Sequence, residues 1–390
     1  MKRIIILLAI VCAAAVSCRE FSAPSRPTID YVLSLAADSL GSAFSLVKSH
    51  NPASGEGAIA IFGEREESLL LSEVVLTADR RDNISGKPGS DLLPDFAGEV
   101  LTVILDEAEA PYAGFIERGE EVRLRENAVR GAIFALDTLC CVTPFNPEAT
   151  APKPTSKVIV LSSSLMGEYG LFDVDTLFSL AGTRIPVISP VESMIEEALA
   201  VEKEDLSVGV WADSALVASL AYQNVFGRMA RAAGKGSSVL YPISPSGEGD
   251  IRERLLSWLD AYSEICGGRQ LDALLIDDYG VNISSLEAEL ADIRKEDSFQ
   301  KLTYARLLSK DFRFVDVMES LTGRCYDILR RENLFTHNIS YPSLTLYQTV
   351  AAPDGTDNLL LRLSSRFISN ETAQFIDANV VSTKPLYVQN

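Results

Sequence analysis

Histidine occurs only twice in 390 residues, as His50 and His337, and the chain has no Cys-x-x-Cys or His-Glu-x-x-His spacing. A structural zinc site and a histidine-based triad therefore lack the residues they need. Basic charge is also scarce: 35 Lys and Arg stand against 54 Asp and Glu, a formal charge of −19. Nucleic acid is excluded as a partner on that ground, because phosphate binding needs concentrated positive charge. Beyond residue 18 no apolar run approaches the roughly 18 residues that a membrane-spanning helix needs, so the body is expected to be soluble. Cofactor signatures are incomplete. Gly247-Glu248-Gly249 lacks the third glycine and the Lys-Ser/Thr ending of a phosphate loop, and Gly55-Glu56-Gly57 precedes a strand where a dinucleotide motif would open a helix. Ser45-x-x-Lys48 and Ser298-x-x-Lys301 have neither of the companion motifs of serine enzymes. No cofactor and no metal are expected.

What is present is enough apolar residue, 47% of the chain, for two or three units each with its own core. The chain opens with Lys2 and Arg3, an apolar run from Ile4 to Val16, then Ser17 and Cys18, which is the pattern of a signal peptide over 1–17. Ala15-Val16-Ser17-Cys18 resembles the lipobox of bacterial lipoproteins. That resemblance implies acylation at Cys18, a membrane-lipid partner and an address in the bacterial cell envelope, periplasmic or outer-membrane associated. Residues 18–27 read as a polar tether containing Pro24 and Pro27. Of the remaining cysteines, adjacent Cys140 and Cys141 are poorly placed to bond each other, and Cys266 and Cys325 lie on apolar helical stripes. All four are expected as buried thiols.

Residues 28–36 fit a helix or a strand equally well. A helix is expected over 38–49, a short strand at 58–62, and a turn-rich loop at 79–94. From residue 99 the pattern becomes regular. Strands at 99–106, 157–161 and 185–189 alternate with helices at 127–139, 173–181 and 191–200. Strands at 207–212, 238–243, 271–276, 302–308 and 343–350 then alternate with helices at 214–233, 250–266, 283–295 and 314–331. Short apolar strands alternating with helices imply right-handed crossovers and parallel sheets covered on both faces. The expected fold is α/β with two doubly wound parallel-sheet lobes, an N-terminal lobe over 28–200 and a C-terminal lobe over 201–350. Residues 351–390 are expected as a return crossing or an edge addition.

This organisation resembles the type I periplasmic binding proteins, two-lobed solute receptors. The resemblance is carried by SVGVWADSALVASLAYQNVFGRMARAAGKGSSVLYPIS and LDALLIDDYGVN, which look like the opening of that fold's second lobe. It implies a non-catalytic, membrane-anchored exported lipoprotein holding a small polar solute in an interlobe cleft. An interaction or scaffold lipoprotein with an envelope protein partner, and a carboxylate-based hydrolase using Asp213 and Asp277, are the alternatives. Ligands of parallel sheets bind at the carboxyl ends of the strands. The candidate ligand-binding residues are accordingly Ser162 and Ser163 after VIVL, Asp213 after VGVWA, and Asp277, Asp278 and Tyr279 after LLI. Tyr112, in the loop after the strand at 99–106, is a further candidate. Trp211 and Trp258 are expected in the core.

Overall fold

The computed structural model describes residues 26–50, 55–246, 249–295, 304–338, 340–352 and 358–363. The signal peptide, Cys18, the tether up to residue 25, Gly247-Glu248, Ser298–Lys301 and the chain beyond 363 lie outside the described residues.

Two helices, α1 (Asp30–Ala37) and α2 (Ser42–Ser49), lead into β1 (Ala58–Gly63). The first lobe continues through α3 (Arg65–Thr77), β2 (Val100–Leu105), α4 (Ala113–Glu117) and α5 (Glu121–Leu136). A small ribbon of β3 (Leu139–Cys140) and β4 (Ala151–Pro152) precedes β5 (Ser156–Leu161), α6 (Ser164–Ala181), β6 (Val187–Ile188) and α7 (Pro190–Leu199). The second lobe holds β7 (Ser207–Trp211), α8 (Ser214–Ala218), α9 (Ala221–Ala232), β8 (Val239–Ile243), α10 (Ile251–Ile265), β9 (Leu271–Ile276), α11 (Ile283–Lys295) and β10 (Leu308–Asp316). The chain then returns through α12 (Val317–Arg331) to β11 (Ser343–Ala351) and β12 (Asn358–Arg362).

The first sheet runs β12-β11-β2-β1-β5-β6 and the second β10-β9-β7-β8. Pairing is parallel throughout except between β11 and β12. Every residue of β1 and β5 is buried, as apolar strands covered on both faces must be. The mixed α/β architecture with two parallel sheets is therefore as expected.

Several local expectations are corrected. Of the two readings open for residues 28–36, the helix is the one found, over Asp30–Ala37. The expected helix at 173–181 begins already at Ser164; its first turns contain Gly167 and Gly170, which lie so close to Ser189 and Ala128 that a side chain would clash, and these glycines interrupt the apolar stripe. The expected single helix 214–233 is two, broken at Leu220 with φ 61°. The strand expected at 302–308 lies at Leu308–Asp316, where Phe314 pairs with Leu274, and the next helix begins at Val317. The strand expected at 343–350 as the fifth of the second lobe joins the first sheet instead, in register from Ser343↔Val100 to Gln348↔Leu105. A period-two pattern shows that a strand exists, not which edge it seeks.

The two lobes share one core. Val208, Val210, Ala273, Leu275 and Val315, on one face of the second sheet, belong to the same hydrophobic cluster as β1, β2 and β5. The other face, with Leu274 and Ile276, packs a separate cluster around Trp258, Leu259 and Tyr262. Cys140, Cys141, Cys266 and Cys325 are buried and unpaired, as expected.

Candidate functional site

The carboxyl ends of β1, β7 and β9 meet at a groove of about 890 Å³. Its first wall is the segment leaving β1, Glu64 to Glu67, with Pro111 from the loop after β2. The second wall comes from β7 and β9: Trp211, Asp213, Asp277, Asp278 and Tyr279, with Arg254 of α10. This is where loops and helix starts converge in any open parallel sheet.

Glu64 occupies the extended residue before α3, yet its side chain makes no cap bond to that helix. Its Oε1 instead accepts the backbone N–H of Tyr112 at 2.6 Å. Glu67, one turn further on, has a buried Oε2 with no hydrogen-bond partner. Opposite them, Asp277 accepts the hydroxyl of Tyr222 at 2.7 Å. Asp213 caps α8 by accepting Leu216 N–H at 2.8 Å, yet stays exposed on the groove. Arg254 pairs with Asp278 at 2.7 Å and lies 4.9 Å from the centre of the Trp211 ring.

Glu64, Glu67 and Asp277 hold their protons more tightly than ordinary carboxyls. Burial pushes Asp277 up to about 6, and the neighbouring Asp213 and Asp278 add to the effect. Glu67 is raised well above the ordinary glutamate range, first by burial and then by Glu64, Asp277 and Asp213. Glu64 is raised by burial, with Asp106 and Asp213 contributing. Residues from both lobes thus share one field. Six carboxylates and two arginines line the groove, and both arginines are already paired, Arg65 with Glu107 and Arg254 with Asp278. The site is set for a positively charged group.

The residues singled out from sequence divide into two sets. Asp213, Asp277, Asp278 and Tyr279 line the groove. Ser162, Ser163 and Tyr112 are buried beside it. The Ser162 hydroxyl lies 2.9 Å from that of Ser68, and the Ser162 carbonyl accepts the Tyr279 hydroxyl. Ser163 is the residue before α6. Tyr112 turns its hydroxyl inward to Asp106 at 2.8 Å, where Asn127 and Thr349 also donate. Glu64, Glu67 and Arg254 were missed, although the strand-end rule that found Asp277 applies equally to the residues after β1. Trp258 is core, its indole N–H on the Val210 carbonyl at 3.0 Å. Trp211 is 1% exposed and still lines the groove.

No family model matches the chain, and no curated protein matches it. Among solved structures it is similar to glutamate racemase from Francisella tularensis, at 15% identity and TM-score 0.48 over 83% of this chain and 94% of that one. Glutamate racemase from Thermus thermophilus is similar at 15% identity and TM-score 0.47, over 84% and 94%. An aspartate racemase homologue from Pyrococcus horikoshii gives 12% and 0.36, over 70% and 99%. The likeness expected to type I periplasmic binding proteins is corrected here, since the matching structures are described as racemases. With it go the non-catalytic solute-binding reading and its carboxylate-based hydrolase alternative. The shared core agrees with that correction, because a solute receptor's lobes close about a hinge between separately packed bodies. Similarity at this level does not extend to activity, which has to be argued from the groove itself.

Proposed function

We propose that the groove is an acid–base catalytic site for a small substrate carrying a positively charged group, with proton-transferring carboxyls on both walls. One observation carries the reading: Glu67 of the first lobe and Asp277 of the second line the same groove, Glu67 with its affinity for protons raised by burial and by neighbouring carboxyls that include Asp277, and Asp277 by burial and by Asp213 and Asp278. General acid–base catalysis is most effective when the group's pKa lies near the working pH. At pH 6–7 Asp277 is present in both forms.

The chemistry is removal and return of a proton. An ionised carboxylate takes a proton from a carbon next to the substrate's cationic group, leaving the electron pair on the substrate. A protonated carboxyl on the other wall returns a proton, and nothing is oxidised or reduced. Asp213, exposed at the groove, holds the cationic group. The four buried cysteines supply no alternative, since none lines the groove.

The test is solvent exchange. Incubation in D₂O with lysine, arginine, ornithine and simple diamines, followed by proton NMR, should show loss of a C–H signal for at least one of them. Glu67→Gln and Asp277→Asn should each slow that loss at least a hundredfold. No exchange across the set, or exchange indifferent to both substitutions, overturns the reading. Acylation at Cys18 and an envelope address remain a separate proposal resting on residues 15–18, tested by palmitate labelling of the wild-type chain and its Cys18→Ala variant.

A further inference from the structure

A second hollow, of about 460 Å³, lies away from the groove, between the ends of α3 and α7 and the length of α12. We propose that it binds an oxyanion, the phosphate or carboxylate group of a small molecule.

Three observations converge on it. First, four arginines line it: Arg80 and Arg81 from the loop after α3, and Arg324 and Arg331 from α12. Second, it contains buried polar atoms with no protein partner, the hydroxyl of Thr322 and the Nε–H of Arg324. Thr322 is 5% exposed. A buried polar atom without a partner carries a desolvation cost that a ligand atom would remove. Third, the floor contains Gly323, in mid-helix, and a Cβ added there would meet nothing. A helix-interior glycine is unfavourable relative to alanine, and no packing contact requires this one. Its effect is to keep space open between Thr322 and Arg324.

Five carboxylates share the hollow with these four arginines, so an anion has to displace some of them. Arg80 pairs with Glu319, Arg81 with Asp327 at 3.5 Å, and Arg324 with Glu196 through one terminal nitrogen. The side chains of Glu319, Asp327 and Glu196 are 44%, 58% and 55% exposed, so each can be released to water. The remaining two acids are bonded within the hollow itself: Asp95 accepts the backbone N–H groups of Arg80 and Arg81, and Glu197 accepts the hydroxyl of Ser320. Guanidinium groups suit phosphate and carboxylate because their N–H donors match the spacing of two oxygens. Thr322 adds a hydroxyl donor.

The experiment is thermal denaturation and calorimetric titration of the full chain with inorganic phosphate, pyrophosphate and citrate, against chloride at equal ionic strength. At least one oxyanion should raise the melting temperature beyond chloride and titrate to saturation. A phosphate-only response assigns the site to phosphoryl ligands, and a citrate-only response to carboxylates. Arg324→Gln and Thr322→Val should each weaken that Kd at least tenfold. Gly323→Leu, whose side chain enters the open space, should abolish binding while leaving the circular dichroism unchanged. Gly323→Ala should keep binding and serves as the folding control. Responses no larger than chloride's, or binding unchanged in both Arg324→Gln and Gly323→Leu, overturn the proposal. Neither result bears on proton exchange at the groove.

Discussion

The hydroxyl of Tyr279 donates to the carbonyl oxygen of Ser162, joining the loop after β9 in one sheet to the end of β5 in the other. Tyr279 is 9% exposed, so water cannot readily replace that bond. It pins Asp277, two residues earlier, opposite the wall that carries Glu67. Tyr279→Phe keeps the ring and leaves a buried carbonyl unsatisfied, at a cost of about 1–3 kcal/mol. Chemical denaturation should show that loss, and hydrogen exchange should quicken at residues 277–281. A variant as stable and as protected as the wild type would mean that the two sheet ends are held by apolar packing alone.

Protonated carboxyls give stability a definite pH dependence. Burial raises Asp277 and Asp316 to about 6 and lifts Glu67 well above its ordinary value. Each group binds its proton more tightly in the folded chain than in the unfolded one. For the two aspartates that stability is therefore complete below about pH 4 and is lost as pH rises through 6, and Glu67 acts in the same direction. Melting temperature should fall between pH 5 and 7.5. Asp277→Asn should flatten part of that fall and stabilise the protein at pH 7.5, by on the order of 1–3 kcal/mol. An unchanged pH slope in the variant would show that Asp277 titrates as an ordinary exposed aspartate.

Arg125 and Asp173 form a buried pair at 2.7 Å, with side chains 9% and 0% exposed. They also hold the start of the described chain: Asp173 accepts the Ile29 N–H and Arg125 donates to the Pro27 carbonyl. Breaking such a pair leaves an uncompensated buried charge, which costs about 3–5 kcal/mol. Arg125→Met and Asp173→Asn should each show a loss of that order by denaturant titration. Arg125→Met/Asp173→Asn should lose less than the sum of the two singles, since no orphaned charge remains. Additive losses would argue against direct coupling.

What the sequence made legible was local. LDALLI is a strand of the correct length, and the polar residues that end it, Asp277 to Tyr279, do line the groove. Glu64 and Glu67 obey the same rule after AIAIFG, at the start of a helix, Arg65–Thr77, that was not read from the sequence although it contains no glycine or proline. Non-local choices were not legible. Nothing in SLTLYQTVA says that it pairs with Val100–Leu105, or that its Thr349 reaches Asp106. Tyr112 was placed near the groove by its loop, but the direction of its ring depends on Asp106, Asn127 and Thr349, which come from three separate parts of the chain.

Two mid-helix glycines should respond in opposite ways to the same substitution. Gly131 of α5 faces Phe62 of β1, and a Cβ there would overlap that ring, which is fully buried between strand and helix. The helix can approach the sheet this closely only without a side chain at 131. Gly131→Ala must push α5 away or rotate Phe62 off its rotamer, and overpacking of this kind costs about 1–3 kcal/mol. Gly323 of α12 has open space where its Cβ would lie, so Gly323→Ala should gain the helix-propensity difference, about 0.5–1 kcal/mol. Denaturation midpoints of the two variants should therefore move to either side of the wild type. If Gly131→Ala is neutral, the sheet and α5 have slack that the packing of Phe62 does not show. If Gly323→Ala destabilises, the hollow beside it is closed in solution, and the oxyanion site proposed there loses the space it requires.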